Sequence, residues 1–155
     1  MVFIDETGFN KDTVRSKTGL ARKGKRLHSP LQQDYVPHRS LLMAVTSSEV
    51  LNYHIINKSF NTESFRDFIK STVDILHSSN KDNKSYVFIF DNASFHKSAN
   101  TLKIITDAGH AYMFTPPYSP NNNAIENYFS LLKRIYSHSI SDSTLVFYAF
   151  LLFQK

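Results

Sequence analysis

The sequence predicts a single α/β domain, a β-sheet of mixed strand directions with helices packed against it. Two observations carry that expectation. Strand-like and helix-like stretches alternate along the chain in the order strand, hairpin, helix, strand, helix, strand. The apolar run from Tyr86 to Phe90 lacks polar alternation, the pattern of a strand covered on both faces.

The first element is Val2 to Ile4, a β-prone run that ends in the carboxylate pair Asp5-Glu6 and is followed by Thr7-Gly8, a turn signal. A strand this close to the first residue leads us to expect a further segment upstream. Residues 11–38 read as a basic loop, because Arg15, Lys17, Arg22, Lys23, Lys25 and Arg26 follow one another with no acidic residue among them, and Gly19 and Gly24 break regular structure. Ser40 to Thr46 and Val50 to Ile56 are β-like and joined by Ser47-Ser48-Glu49, which predicts a hairpin. Phe65, Phe68, Ile69, Thr72, Val73 and Leu76 recur at helical spacing, with Asn61 placed to cap the helix.

Tyr86 to Phe90 ends at Asp91-Asn92. A weaker helical pattern through Leu102, Ile104 and Ile105 stops at Gly109, and Ala111 to Phe114 forms another short strand. Pro116-Pro117-Tyr118-Ser119-Pro120 enforces an extended loop, and Asn121 to Asn123 offer caps for a closing helix. Ile125, Phe129, Leu132 and Tyr136 mark one face of that helix, with Glu126 in its first turn just off the apolar stripe. Residues 141–155 form an apolar tail that fits none of these patterns.

At 155 residues the chain is long enough to bury roughly 70% of its unfolded surface. Apolar residues make up 41% and charged residues 20%, an ordinary globular composition. Thirteen Phe and eight Tyr without Trp predict an aromatic-rich core. The absence of Cys excludes disulfides and thiolate metal sites and agrees with a reducing compartment. No secretory leader is visible, and the longest apolar run, Leu145 to Phe153, falls short of the ~20 residues a membrane span needs. A soluble protein without membrane or small-molecule partners is expected. The net charge of +5 and pI near 9.4 favour a polyanionic partner.

Asp5 and Asp91 each follow a β-like run directly, so each is expected at the carboxyl end of a strand, where open α/β sheets hold ligands. Neighbouring strands would make the two carboxylates converge. Glu126, on a helix against the sheet, would supply a third oxygen and complete the all-oxygen set that Mg²⁺ or Mn²⁺ prefers. Two such ions ~4 Å apart can hold a phosphodiester, one activating the attacking oxygen and the other stabilising the leaving one. Each residue also has an ordinary structural explanation. Asp5-Glu6 reads as a solvated strand end, Asp91-Asn92 as an Asx turn, and Asn123 with Glu126 as a variant capping box.

Three blocks set these residues in company: FIDETGFN at 3–10, FIFDNASFHKS at 88–98 and TPPYSPNNNAIENYFSLLKR at 115–134. On these blocks the chain resembles the catalytic domain of mariner-like DDE transposases and related bacterial insertion-sequence transposases, from Phe3 to about Arg134. The 34 residues between Asp91 and Glu126 are a spacing known in that family. Ala124 stands where the family often has Pro, and Phe129 where it often has Trp; neither change removes a carboxylate.

The resemblance implies an RNase H-like, retroviral-integrase-like mixed sheet flanked by helices. It implies that Asp5, Asp91 and Glu126 are the catalytic and metal-binding carboxylates for two Mg²⁺ or Mn²⁺ ions. The expected activity is cleavage of transposon-end DNA and strand transfer to target DNA. The upstream helix-turn-helix region of the family is expected to be missing from this chain, and the complete protein is expected to form a homodimer, in the nucleus of a eukaryote or otherwise in the cytoplasm.

Arg22, Lys23, Lys25 and Arg26 correspond to the family's basic loop and, with Lys133, are the expected phosphate contacts, giving salt-sensitive binding. A solvated charged loop is the competing explanation. Asn92 and His96 follow the second carboxylate closely and are placed to reach the scissile phosphate or a metal-bound water, His96 as a supporting group and not a ligand; a histidine packed for structure or lying at the surface accounts for His96 equally well. Two other functions compete with a transposase: an inactive remnant or domesticated module that binds DNA or protein without cutting, and an RNA nuclease of the ribonuclease H kind, for which the proline-rich block offers no support.

Overall fold

The computed structural model describes residues 1–10, 21–25, 38–79, 84–116 and 124–138. Arg26, most of the basic loop, the proline-rich segment from Pro117, the caps Asn121 to Asn123 and the tail from 141 lie outside the described residues, as does the side chain of Tyr136.

Among the described residues five strands form one sheet: β1 (Val2–Phe9), β2 (Arg39–Val45), β3 (Val50–Ile56), β4 (Val87–Phe90) and β5 (Ala111–Phe114). Their spatial order is β3-β2-β1-β4-β5. The three amino-terminal strands form an antiparallel meander, while β4 joins β1, and β5 joins β4, in parallel. The sheet is therefore mixed, as expected. The β2–β3 turn closes through the Thr46 N–H to the Glu49 carbonyl at 2.9 Å, where the sequence predicts it.

One expectation fails. Thr7-Gly8 is not a turn, because β1 continues to Phe9, with Thr7 paired to Leu41 and Gly8 to Ser40. A full-length antiparallel partner and the burial of Thr7 and Phe9 outweigh the local turn preference of one glycine.

Strand alternation sends the core to two faces. Val2, Ile4, Leu42, Ala44, Phe88 and Phe90 pack on one side against α1 (Thr62–Ser79) and α2 (Ala99–Asp107). Phe9, Leu41, Met43 and Val45 pack on the other against α3 (Ile125–His138) through Ile125, Phe129 and Leu132. Phe129, standing where the resembling family often carries Trp, is nearly fully buried and keeps the apolar role of that position.

Helix α1 buries the six residues its periodicity selects. Asn61 caps it reciprocally with Ser64: the Ser64 N–H donates to Asn61 Oδ1 at 2.8 Å and the Asn61 N–H to Ser64 Oγ at 2.9 Å. Helix α2 ends at Gly109, whose φ of 77° suits a residue without Cβ. The His110 N–H donates to the Ile105 carbonyl and the Gly109 N–H to the Thr106 carbonyl, each at 3.0 Å, the paired bonds of a Schellman ending. Among the described residues no helix is long and apolar enough to cross a membrane.

Candidate active site

The parallel register of β1 and β4 brings two carboxylates together. Val2 lies beside Phe88 and Phe3 beside Ile89, so continuing the register sets Asp5 beside Asp91, one residue past the end of β4. Side chains two apart share a face. Asp5 therefore shares the face of Phe3, which packs in the cluster around α3, and Asp91 shares the face of Ile89. The expected convergence holds by a route the sequence misjudges: Asp5 lies within β1, not at its end, because β1 runs on beside β2.

Glu126 enters from the helix on that same side. Ile125, fully buried, anchors the first turn of α3 against the sheet, and Glu126 beside it remains exposed. Lys133 follows Glu126 by seven residues, two turns along the same side of the helix, and is half-buried.

Asp5 feels the other two carboxylates. Burial raises the Asp5 pKa from 3.8 to about 6; the N–H of Glu6, donating to Asp5 Oδ1 at 2.8 Å, opposes the rise, and the charges of Asp91 and Glu126 add to it. Asp91 moves the other way. Contact with His96 holds it below the ordinary carboxylate range against its partial burial, helped by the Ala93 N–H, which donates to Oδ1 at 3.0 Å, and by the charge of Lys97. Among the described residues no three His, Asp or Glu side chains stand close enough to hold one ion as placed. Strand register brings Asp5 and Asp91 side by side, and Glu126, exposed on α3, acts on Asp5 through its charge. The donor chemistry fits a hard divalent cation, since all three groups are carboxylates and a cation would offset both the burial and the neighbouring charges that raise Asp5.

Asn92 and His96 flank Asp91. Asn92 Nδ2 donates to the Thr115 carbonyl, which ties the end of β4 to the end of β5. His96 lies in a short 3₁₀ helix, Ser94–Lys97, and is fully buried. It is thus the packed histidine the sequence allows, and it also touches Asp91: Nδ1 is 2.6 Å from Oδ1. Nδ1 makes no regular hydrogen bond, yet the contact with His96 is the largest cause of the lowered Asp91 pKa.

Arg22, Lys23 and Lys25 are exposed on a four-residue turn closed by the Lys25 N–H to the Arg22 carbonyl at 2.9 Å, with Gly24 at φ 83°. Two residues at the site escape sequence reasoning. Glu6 has its pKa raised by burial while the charges of His96 and Asp91 act on it in opposite directions. Lys97 sits with Nζ 5.6 Å from the centroid of the Phe114 ring. Adjacency to Asp5 and His96 was their only mark in the sequence, and strand alternation argues against Glu6 sharing the Asp5 face.

The family model described as DDE superfamily endonuclease matches residues 1–145. Among curated proteins none matches the chain in sequence. Among solved structures, the Mos1 mariner paired-end complex with Mn aligns at TM-score 0.77 and 16% identity over 97% of this chain and 46% of that one. The Mos1 transposase catalytic domain with Raltegravir and Mn aligns at TM-score 0.71 and 15% identity, over 97% and 66%. A simian T-cell lymphotropic virus intasome in complex with PP2A regulatory subunit B56 gamma aligns at TM-score 0.59 and 12% identity, over 97% and 46%. At these identities the likeness is one of fold, which is RNase H-like as expected. The chain spans less than half the length of the Mos1 chain in the paired-end complex.

Proposed function

This chain belongs to the DDE superfamily endonuclease family, and on that premise we propose that it is the catalytic domain of a DNA transposase that cleaves transposon ends and transfers the freed strand to target DNA. The observation that carries the proposal is the Asp5–Asp91 pair, set side by side by the β1–β4 register and facing the helix that bears Glu126. The Mos1 transposase, whose structures include a complex with a transposon end and others with Mn and with Mg, supports DNA as the partner and a divalent cation as the cofactor.

Asp5, Asp91 and Glu126 would hold two Mg²⁺ or Mn²⁺ ions. Bound there, such ions activate the attacking oxygen and neutralise charge on the leaving one. The chain itself fixes two ligands on rigid strands and brings the third on a helix locked to the sheet by Ile125, Phe129 and Leu132. Arg22, Lys23, Lys25 and Lys133 would neutralise backbone phosphates on either side of the reacting bond. A second copy would hold the second DNA end in the complete protein.

The test is Mn²⁺- and Mg²⁺-dependent nicking of supercoiled DNA by the chain and by Asp5→Ala, Asp91→Ala and Glu126→Ala. Each variant should lose nicking while keeping its fold by circular dichroism. Wild-type nicking by any one of them would overturn the assignment, and metal-independent DNA binding with no nicking by the parent chain would favour a module that binds without cutting.

A further inference from the structure

Asp91 distributes its two oxygens unequally. Oδ1 receives the Ala93 N–H at 3.0 Å and lies 2.6 Å from His96 Nδ1. Among the described residues none donates a hydrogen bond to Oδ2, which leaves that oxygen open to a ligand. The histidine that holds Oδ1 is itself clamped. Its ring centroid is 4.4 Å from that of Phe65, 4.2 Å from Phe95 and 5.9 Å from Phe90, and Nε2 is buried with no hydrogen-bond partner among the described residues.

A fully buried imidazole with an unpaired nitrogen is a costly way to fill an apolar pocket, since a buried polar atom without a partner forfeits its hydration. A phenyl ring would serve packing alone. What the imidazole adds is a polar edge against Asp91. The aromatic clamp bars the ring from turning that edge elsewhere, and α1, through Phe65, sets its position from outside the site. Oriented carboxylates bind cations more tightly than free ones because their rotamer entropy is already lost.

We propose that His96 is a positioning residue: held by Phe65, Phe90 and Phe95, it pins Asp91 Oδ1 and thereby presents Oδ2 as the metal-binding oxygen. The inference rests on the metal role assigned above to Asp91. His96 is too buried to reach the DNA, so its direct route to the metal is the carboxylate it touches, Asp91.

Mn²⁺ binding to the purified chain, followed by the loss of the free-ion signal in electron paramagnetic resonance, tests this without recourse to cleavage. His96→Phe keeps the apolar clamp and should weaken Mn²⁺ binding about 10–100-fold, the usual range for losing a group that orients a metal ligand. His96→Asn, whose amide nitrogen can occupy the place of Nδ1, should recover most of the affinity. His96→Gln, whose amide reaches toward the place of Nε2, should not. Thermal denaturation of each variant separates folding from positioning.

Folded His96→Phe that binds Mn²⁺ as the parent does would overturn the inference. If His96→Phe does not fold, equal Mn²⁺ affinity of the Asn and Gln variants would overturn it instead. A parent chain that binds no Mn²⁺, with or without DNA, would overturn the metal assignment beneath it.

Discussion

Asp5→Asn should make the metal-free protein more stable while abolishing its chemistry. The fold holds Asp5 at a pKa of about 6 in place of 3.8, chiefly by burial. At 1.36 kcal/mol per pH unit, that gap corresponds to about 3 kcal/mol against the ionised form at neutral pH. Asparagine has the same shape, keeps an oxygen for the Glu6 N–H and carries no charge. Burying its amide returns part of the gain, leaving roughly 1–3 kcal/mol, or about 2–9 °C in Tm for a chain of this size.

The sign with pH is fixed. The folded-state pKa is raised, so Asp5's favourable contribution is complete below 3.8 and is lost as pH rises through about 6. The advantage of the Asn variant should thus be absent at pH 4 and full above pH 7. Urea denaturation with EDTA at pH 4, 5, 6 and 7.5 measures it. A variant no more stable than the parent at pH 7.5, or one equally stabilised at pH 4, would refute the electrostatic reasoning. Mn²⁺ supplies a second arm: it should stabilise the parent by RT ln(1 + [Mn²⁺]/Kd) and the variant much less.

Two other predictions address the frame around the site. Burial, together with the nearby charge of His77, lowers the His110 pKa below 6.5. Stability should therefore fall as pH drops below 6.5, and His110→Phe should flatten that fall in Tm measured between pH 7 and 5. Ile125→Ala should cost about 2–4 kcal/mol in urea denaturation and, because Glu126 shares its helical turn, should also weaken Mn²⁺ binding; unchanged binding in the folded variant would separate α3 anchoring from ligand placement.

The elements legible in the sequence are those governed by local chemistry. The apolar stripe of α1 with its Asn61 cap, the buried run of β4 and the stop at Gly109 each follow from periodicity or from one residue's backbone preference, and the structure bears them out. The grouping of Asp5 with Asp91 was legible only on the condition that their strands are neighbours. Pairing across more than eighty residues decides that condition, and no local rule does. The same long-range pairing carried β1 through Thr7-Gly8. The His96–Asp91 contact was beyond sequence reading for another reason: five residues apart, the two meet only because a 3₁₀ helix folds the chain back toward α1.

The sheet separates the two titrating groups that these predictions use. Asp91 follows the carboxyl end of β4, while His110 precedes β5 and receives the Tyr86 N–H just before β4 begins. Five residues of strand, ~16 Å, lie between those ends, far enough for substitutions to act additively. In the parent, Asp5 loses its favourable contribution as pH rises through about 6, while His110 loses its own as pH falls below 6.5. The two slopes are opposite in sign, so a flat pH profile in the parent would hide both. Asp5→Asn removes one declining contribution and keeps the His110 slope, so its stability should climb with pH relative to the parent. His110→Phe leaves the Asp5 slope alone, making it decline. Slope changes of opposite sign in the two variants, measured against the parent, would locate the electrostatic strain at the carboxylate end of the sheet, where the proposed cation would bind, and a common sign would place its source elsewhere.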